Sequence, residues 1–386
     1  MRKIIPLLLM TLIPAGRSTA IKPALKKWKA AAGTVISGNG FPGSTIQQHK
    51  KLIQRRKYMS KIKTALMAAA ALVLLASPVF AEEEIGVNKP FSQNLTTDMA
   101  YYPASEIIPG GDHFSKIVGP YSGVEACTTL NAGYKINTPL GQNWLVKDAY
   151  VLLGAGFELT PVSIKQKVSV EFAPIPLLVL RAGGSLGIGF NYLGLEGVAE
   201  FNPLTREYET LSSINHPYYD LWVSGTFQFD TGALIPGDWT HVVMLASYTT
   251  VYSGLAGLTK SNVFEWQCSK YKACGLAYEF QGIIAYQMPI ALKLAGVMTK
   301  FVGYYDGAVY GEFDRTFDGA FPEISISPVF QFVCGEKDNI TLLIDFSSRR
   351  SFASKLNKET DMLYTQRSGR EWFFKRLAIS WTHTFM

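Results

Sequence analysis

The sequence predicts an all-β protein: a single antiparallel transmembrane up-and-down β-barrel of about twelve strands, with 10 to 14 tolerated. Three observations predict it. Segments of about ten or more residues alternate apolar and polar side chains, as "YDLWVSGTFQFD" does at 219–230. Short turns and long loops alternate strictly along the second half of the chain. Before the first of these segments lies a stretch with the three parts of an export signal.

The export signal is "MSKIKTALMAAAALVLLASPVFAEEE" from Met59: Lys61 and Lys63, an apolar run from Ala65 to Ala76, then Val79-Phe80-Ala81. Residues 59–81 are read as a secretory signal peptide cut after Ala81, because the run is too short to span a bilayer comfortably and ends in small residues. Residues 1–58 hold twelve Lys or Arg and no Asp or Glu, and are read as a basic upstream leader, non-native or a mis-assigned start. Charge then reverses. The whole chain has 37 basic and 30 acidic residues, but cleavage after Ala81 removes fourteen basic residues and no acidic one, leaving a net charge of −7. Nucleic acid is therefore not an expected partner.

Residues 82–117, with Pro103, Pro109, Gly110 and Gly111, are expected to form a periplasmic arm or a plug, and 118–386 the barrel. Ten strands are well marked, near 144–159, 162–172, 177–190, 219–234, 239–252, 274–288, 290–304, 323–334, 340–352 and 371–386. The segment 121–137 adds another. Closure with an even count gives twelve, with a poorly marked strand ahead of 121–137; ten strands with the N-terminal segment in the lumen is the alternative. Short turns are expected at Ala173–Pro176, Pro236–Asp238, Met288–Pro289 and Gly335–Asn339, and long loops near 191–218, 253–273, 306–321 and 353–370. This parity puts the last residue on the periplasmic side.

Alternation assigns the faces. Phe227, Phe229, Ile324, Phe330, Ile379, Trp381 and Phe385 are expected to face lipid. Lys165, Lys167, Glu171, Arg181, Asp220, Asp230, Glu279, Lys293, Glu323, Asp345, Arg349 and Arg376 are expected to line a pore, with Trp222 breaking the pattern of its segment. A soluble β-sandwich would alternate too, but its strands are usually about 5–6 residues, whereas a membrane strand needs about 9–11. Aromatics near strand ends, among them Tyr219, Trp239, Tyr252 and Tyr286, fit interfacial girdles.

In its last segment, with Leu377, Ile379, Trp381 and Phe385 at alternate positions, the chain resembles bacterial outer-membrane β-barrel proteins of porin-like architecture. Met386 after the aromatic departs from their pattern by one residue. The resemblance names no particular family. It implies outer-membrane lipid and the barrel-assembly machinery as partners, the latter through the C-terminal strand.

Cys268 and Cys274 in "WQCSKYKAC" are expected to pair in an outer loop, since export leads to an oxidising compartment. No metal or cofactor spacing is present. His113, His216, His241 and His383 accompany no G-x-S-x-G or H-E-x-x-H motif, so no catalytic residue is assigned and the protein is not expected to be an enzyme. Basic runs hold Arg349, Arg350, Arg370, Lys375 and Arg376 near the outer rim. The function expected is a passive channel for small solutes. The alternative is a surface interaction protein using Tyr218, Trp266, Tyr271, Tyr310 and Phe317 in its loops; a hydrolase is the weaker third reading.

Overall fold

A computed structural model describes residues 90–385, apart from 144, 192–194, 196, 203–204, 206, 213, 260–261, 311–318 and 358–361. The leader and signal-peptide expectations, and residues 82–89, lie outside the described residues. In chain order the strands are β1 (Phe91–Ser105), β2 (His113–Phe114), β3 (Ile117–Asn137), β4 (Tyr150–Thr160), β5 (Ser163–Ile175) and β6 (Leu178–Gly189). Then come β7 (Val198–Asn202), β8 (Glu207–Thr210), β9 (Tyr218–Asp230), β10 (His241–Leu255), β11 (Val263–Trp266) and β12 (Ser269–Ala273). The chain finishes with β13 (Gly275–Gln287), β14 (Leu292–Tyr304), β15 (Glu323–Val333), β16 (Asp338–Asn357) and β17 (Met362–Thr384).

Twelve of these form one antiparallel sheet in the order β1-β3-β4-β5-β6-β9-β10-β13-β14-β15-β16-β17, and β1 pairs back onto β17. The sheet is a closed cylinder, so no strand edge is left unpaired along the closing register, Asn94 opposite Thr384 through Tyr101 opposite Leu377. The poorly marked first strand is β1, which corrects the arm-or-plug reading of 82–117 for residues 91–105. Pro103 had argued against a strand, yet it sits near the end of β1, where the register with β3 shifts between Tyr102 and Ala104.

Two other boundaries move. The strand expected from 144 begins at Tyr150, because Val146 and Lys147 bond back to the Asn143 carbonyl and Leu145 bonds its side chain, closing a turn. The long loop expected at 353–370 is mostly strand: β16 and β17 stay paired out to Asn357 opposite Met362. With about 9–11 residues enough to cross a bilayer, the outer halves of these 20- and 23-residue strands rise beyond it.

β1 leaves β17 after Tyr101, and the β1–β3 connection takes over as its neighbour. β2 pairs in parallel with Glu371 and Trp372 of β17, and the Gly110 carbonyl accepts from the hydroxyls of Ser351 and Ser368. The Glu371 carboxylate, 1 % exposed, accepts from the Ile108 amide and contacts Arg349 and His113.

Candidate functional site: the barrel lumen and its cap

Register decides which side chains look inward. Thr226 and Ser247 are opposite one another, hydrogen-bonded at 2.9 Å, and Thr226 is buried, whereas Leu221, Val223 and Phe227 on the other parity are more than half exposed on the outer wall. Following the pairs around the cylinder places Lys165, Lys167, Glu171, Arg181, Asp220, Asp230, Glu279, Asp345, Arg349 and Arg376 on the inner wall. Phe229, Ile324, Phe330, Ile379, Trp381 and Phe385 take the outer parity with Phe227. Glu323 stands at the outer end of β15 against Arg350 at 3.3 Å. Lys293 is the exception. It occupies the β-bulge between Leu292 and Leu294 and is exposed, so simple parity does not carry it into the lumen.

The inner charges are arranged in cross-strand pairs. Glu158 holds Lys165 at 3.1 Å and also Lys167; Glu171 holds Arg181 and accepts from the Tyr150 hydroxyl at 2.7 Å; Glu279 holds Lys300 at 2.8 Å. Arg376 lies between Asp345 at 3.2 Å and Glu125 at 3.5 Å, with Ser327 donating to Asp345 at 3.0 Å. Asp220 accepts from Ser185 at 2.6 Å. Several of these groups keep open access: the side chains of Arg181 and Lys167 are 50 % and 41 % exposed, and Asp98 is exposed although its register with Cys127 and Ser380 turns it inward.

Not all of the inner wall is polar. Leu245, Ile283 and Met298 face one another across β10, β13 and β14. The next row toward the periplasmic end runs Val243, Ala285, Gly296, Val329, Leu343 and Ala378. Strict polar-in alternation had hidden this strip, since "HVVML" and "GIIAY" read as outer face on either parity.

The mouth carries a cap. Loops 190–217 and 256–274 contribute β7, β8, β11 and β12 to a four-stranded sheet in the order β12-β11-β7-β8. One cluster packs Val198, Leu255, Phe264, Trp266 and Cys274, and a second packs Val263, Ala273, Val309 and Tyr310. Trp266 stacks on Tyr218 with centroids 4.6 Å apart, over Gly187, where a Cβ would meet the indole at 2.8 Å. Trp222, the residue that broke its pattern, also points inward and lies over Gly183 for the same reason. At the hairpin tip Gln267 and Cys268 take φ of 53° and 59°, the two left-handed central residues of a type I′ turn between Trp266 and Ser269. Burial pushes the Cys274 thiol and the Lys272 ammonium against ionisation.

The cap overturns the expected disulfide. Cys274 is buried in the first cluster and Cys268 is at the exposed tip, with all of β12 between them. At about 3.3 Å per residue the strand keeps their Cα atoms far beyond the roughly 7 Å that a disulfide bridges. Tyr218, Trp266 and Tyr310, expected as contact residues, serve inside the cap; Tyr271 is 49 % exposed, and Phe317 lies outside the described residues.

Between cap and wall is a cavity of about 400 Å³, lined by Asp98, Glu125, Glu158, Lys165, Gln267, Leu343, Arg376 and Ala378 among others. Among the histidines, His241 pairs with Asp230 at 2.8 Å and His383 with Asp338 at 2.9 Å near the periplasmic end, while His216 contacts the Ala256 carbonyl. Sequence reading missed Asp98, Glu125, Glu158 and Gln267. Asp98 was legible in "NLTTDMAY", where Asn94, Thr96 and Asp98 alternate with Leu95 and Met99; Glu158 was masked because its inward neighbours are Gly154 and Gly156.

No family model matches the chain, and no curated protein does. Solved structures with a similar fold include the KdgM porin (8 % identity, 76 % of this chain and 99 % of that one, TM-score 0.32). Two others are the β domain of the Bordetella autotransporter BrkA (8 %, 77 % and 100 %, 0.36) and the outer membrane channel DcaP of Acinetobacter baumannii (10 %, 76 % and 96 %, 0.31). At these scores the likeness carries no argument about activity; the outer-membrane-type barrel stands on the closed register above.

Proposed function

We propose that the protein is a passive outer-membrane channel for small solutes, narrowed at its outer mouth by the folded cap. The observation that carries this reading is the access kept by inward charges, Asp98, Lys167 and Arg181, along a wall of twelve strands. A barrel of this size lies between the packed eight-stranded kind and the open porins. Paired charges of both signs give the lumen a transverse field rather than one strong ion preference. Export through 59–81, cleavage near Ala81 and insertion by the barrel-assembly machinery through Leu377, Ile379, Trp381 and Phe385 belong to the same proposal.

The surface-display reading has less support, since three of its five aromatic contacts are used to hold the cap together. Purified protein in a planar bilayer tests the channel directly. Discrete current steps are expected, growing when residues 263–273 are replaced by a short Gly-Ser link; no conductance above bare lipid overturns the reading.

A further inference from the structure

We propose that the lumen contains a binding site for organic cations, solutes with a positively charged nitrogen on an apolar body, in the cavity between Asp98 and Leu343. The proposal rests on the channel reading and names its substrate class.

The charge argument comes first. Around this cavity the basic groups are already engaged: Lys165 and Lys167 share Glu158, and Arg376 is divided between Asp345 and Glu125. Asp98 lines the same cavity, is exposed to it, and has no ion pair or side-chain hydrogen bond among the described residues. Four carboxylates against three basic groups leave one negative charge at the point where a solute has free access. An anion entering here meets that charge and finds Lys165 and Arg376 occupied. A cation completes the set, in a cavity whose low-dielectric walls focus the field.

The apolar argument separates an organic cation from a hydrated metal ion. Leu343, Ala378 and Ala100 form the part of the cavity wall beside Asp98. Leu343 continues into the strip of Val329, Gly296 and Ala285 on the neighbouring strands, and Leu343 and Val329 remain half-exposed to the lumen. A small hydrated ion gains nothing from such a surface, whereas an alkyl or aromatic body releases water from it. The small side chains at 100, 285, 296 and 378 leave room for that body. The dimensions agree, since a cavity of about 400 Å³ falls in the range that encloses a small organic ligand.

The test uses two aromatic probes of similar size and opposite charge, benzyltrimethylammonium and benzenesulfonate. Each is titrated by calorimetry into the detergent-solubilised protein and added to the bilayer during current recording. The expected result is binding of the cation at least tenfold tighter than the sulfonate, with partial block of the current by the cation alone. Asp98→Asn should remove most of the difference. Ser380→Lys, which places a basic group directly across from Asp98, should do the same and guards against a folding defect in the first variant. Leu343→Ser should weaken the benzyl cation more than tetramethylammonium. Equal binding of both probes, a preference for the sulfonate, or a cation preference untouched by both charge variants overturns the proposal. Calorimetry decides the site even where no current flows, so loss of conductance counts against the channel and not against the site.

Discussion

Gln267, at the tip of the β11–β12 hairpin, donates from its side-chain nitrogen to Glu158 at 3.0 Å and to the Ser163 hydroxyl at 2.7 Å, more than a hundred residues away in sequence. This ties the cap to the outer, turn end of the β4–β5 hairpin. A hydrogen bond to a charged group contributes about 1.5–3 kcal/mol, enough to hold the tip in one place more than tenfold over a released one. Gln267→Ala is therefore expected to raise the current noise of the open channel and its mean conductance. Single-channel recording checks it, and an unchanged trace would separate the tip from the permeation path.

The same turn places two non-glycine residues at left-handed φ, each costing on the order of 1 kcal/mol. Cys268→Gly should raise the stability of the cap by up to about 1 kcal/mol. Hydrogen exchange at Phe264 and Lys272 amides measures this, with slower exchange expected in the variant.

Gly183 is pinned by what lies against it: an added Cβ would meet the Val168 carbonyl at 2.5 Å and Trp222 at 2.6 Å. Gly183→Ala should destabilise the barrel by about 1–3 kcal/mol, as overpacking does. Trp222→Ala should recover part of the loss, leaving the share due to the backbone carbonyl. Urea unfolding in detergent, followed by tryptophan fluorescence and by heat-modifiable migration, gives the double-mutant cycle.

His113 stands where its ring contacts the Gly111 carbonyl at 2.8 Å and Glu371 at 3.1 Å, and both contacts raise its pKa above the ordinary value near 6.5, the carbonyl first. A raised histidine pKa contributes stability that is fully present below the unfolded value and is lost as pH rises through the folded one. The segment 106–116 should hold to β17 more tightly at pH 5.5 than at pH 8. Exchange rates in that segment at the two values test it, and His113→Asn should flatten the dependence.

Parity can be read in the membrane with single cysteines and a charged, water-soluble thiol reagent. Gln228 should label strongly and Thr226 slowly, because Thr226 is buried against Ser247, while Phe227 and Phe229 should resist. Uniform labelling at the four sites would remove β9 from the bilayer.

Much of the barrel was legible because a two-residue period repeated over ten or more residues has few physical origins. β9, β13 and β15 carry it openly. β1 carries it too, but Thr97 on the outer parity and Pro103 near the end blurred it. The lumen was only half legible. Parity finds Glu171 and Arg181, yet it says nothing of inward valines and leucines, whose chemistry is the same on either side of the wall. The cap was not legible at all, because β7, β8, β11 and β12 are four or five residues long and gain their stability from each other across separate loops.

The pairing of β1 with β17 has a kinetic meaning. Thr96 and Thr382 touch at 3.2 Å across 286 positions, so the contact that completes the cylinder is among the most distant the chain makes. Every other wall strand pairs with the next wall strand along the chain; this pair must wait for the rest of the ring. Until then both outer strands offer unsatisfied amides to hydrocarbon, a state that only a catalyst or a partner strand can shelter. Substitutions at Asn94, Thr96 and Thr382 should therefore slow assembly far more than they weaken the finished barrel.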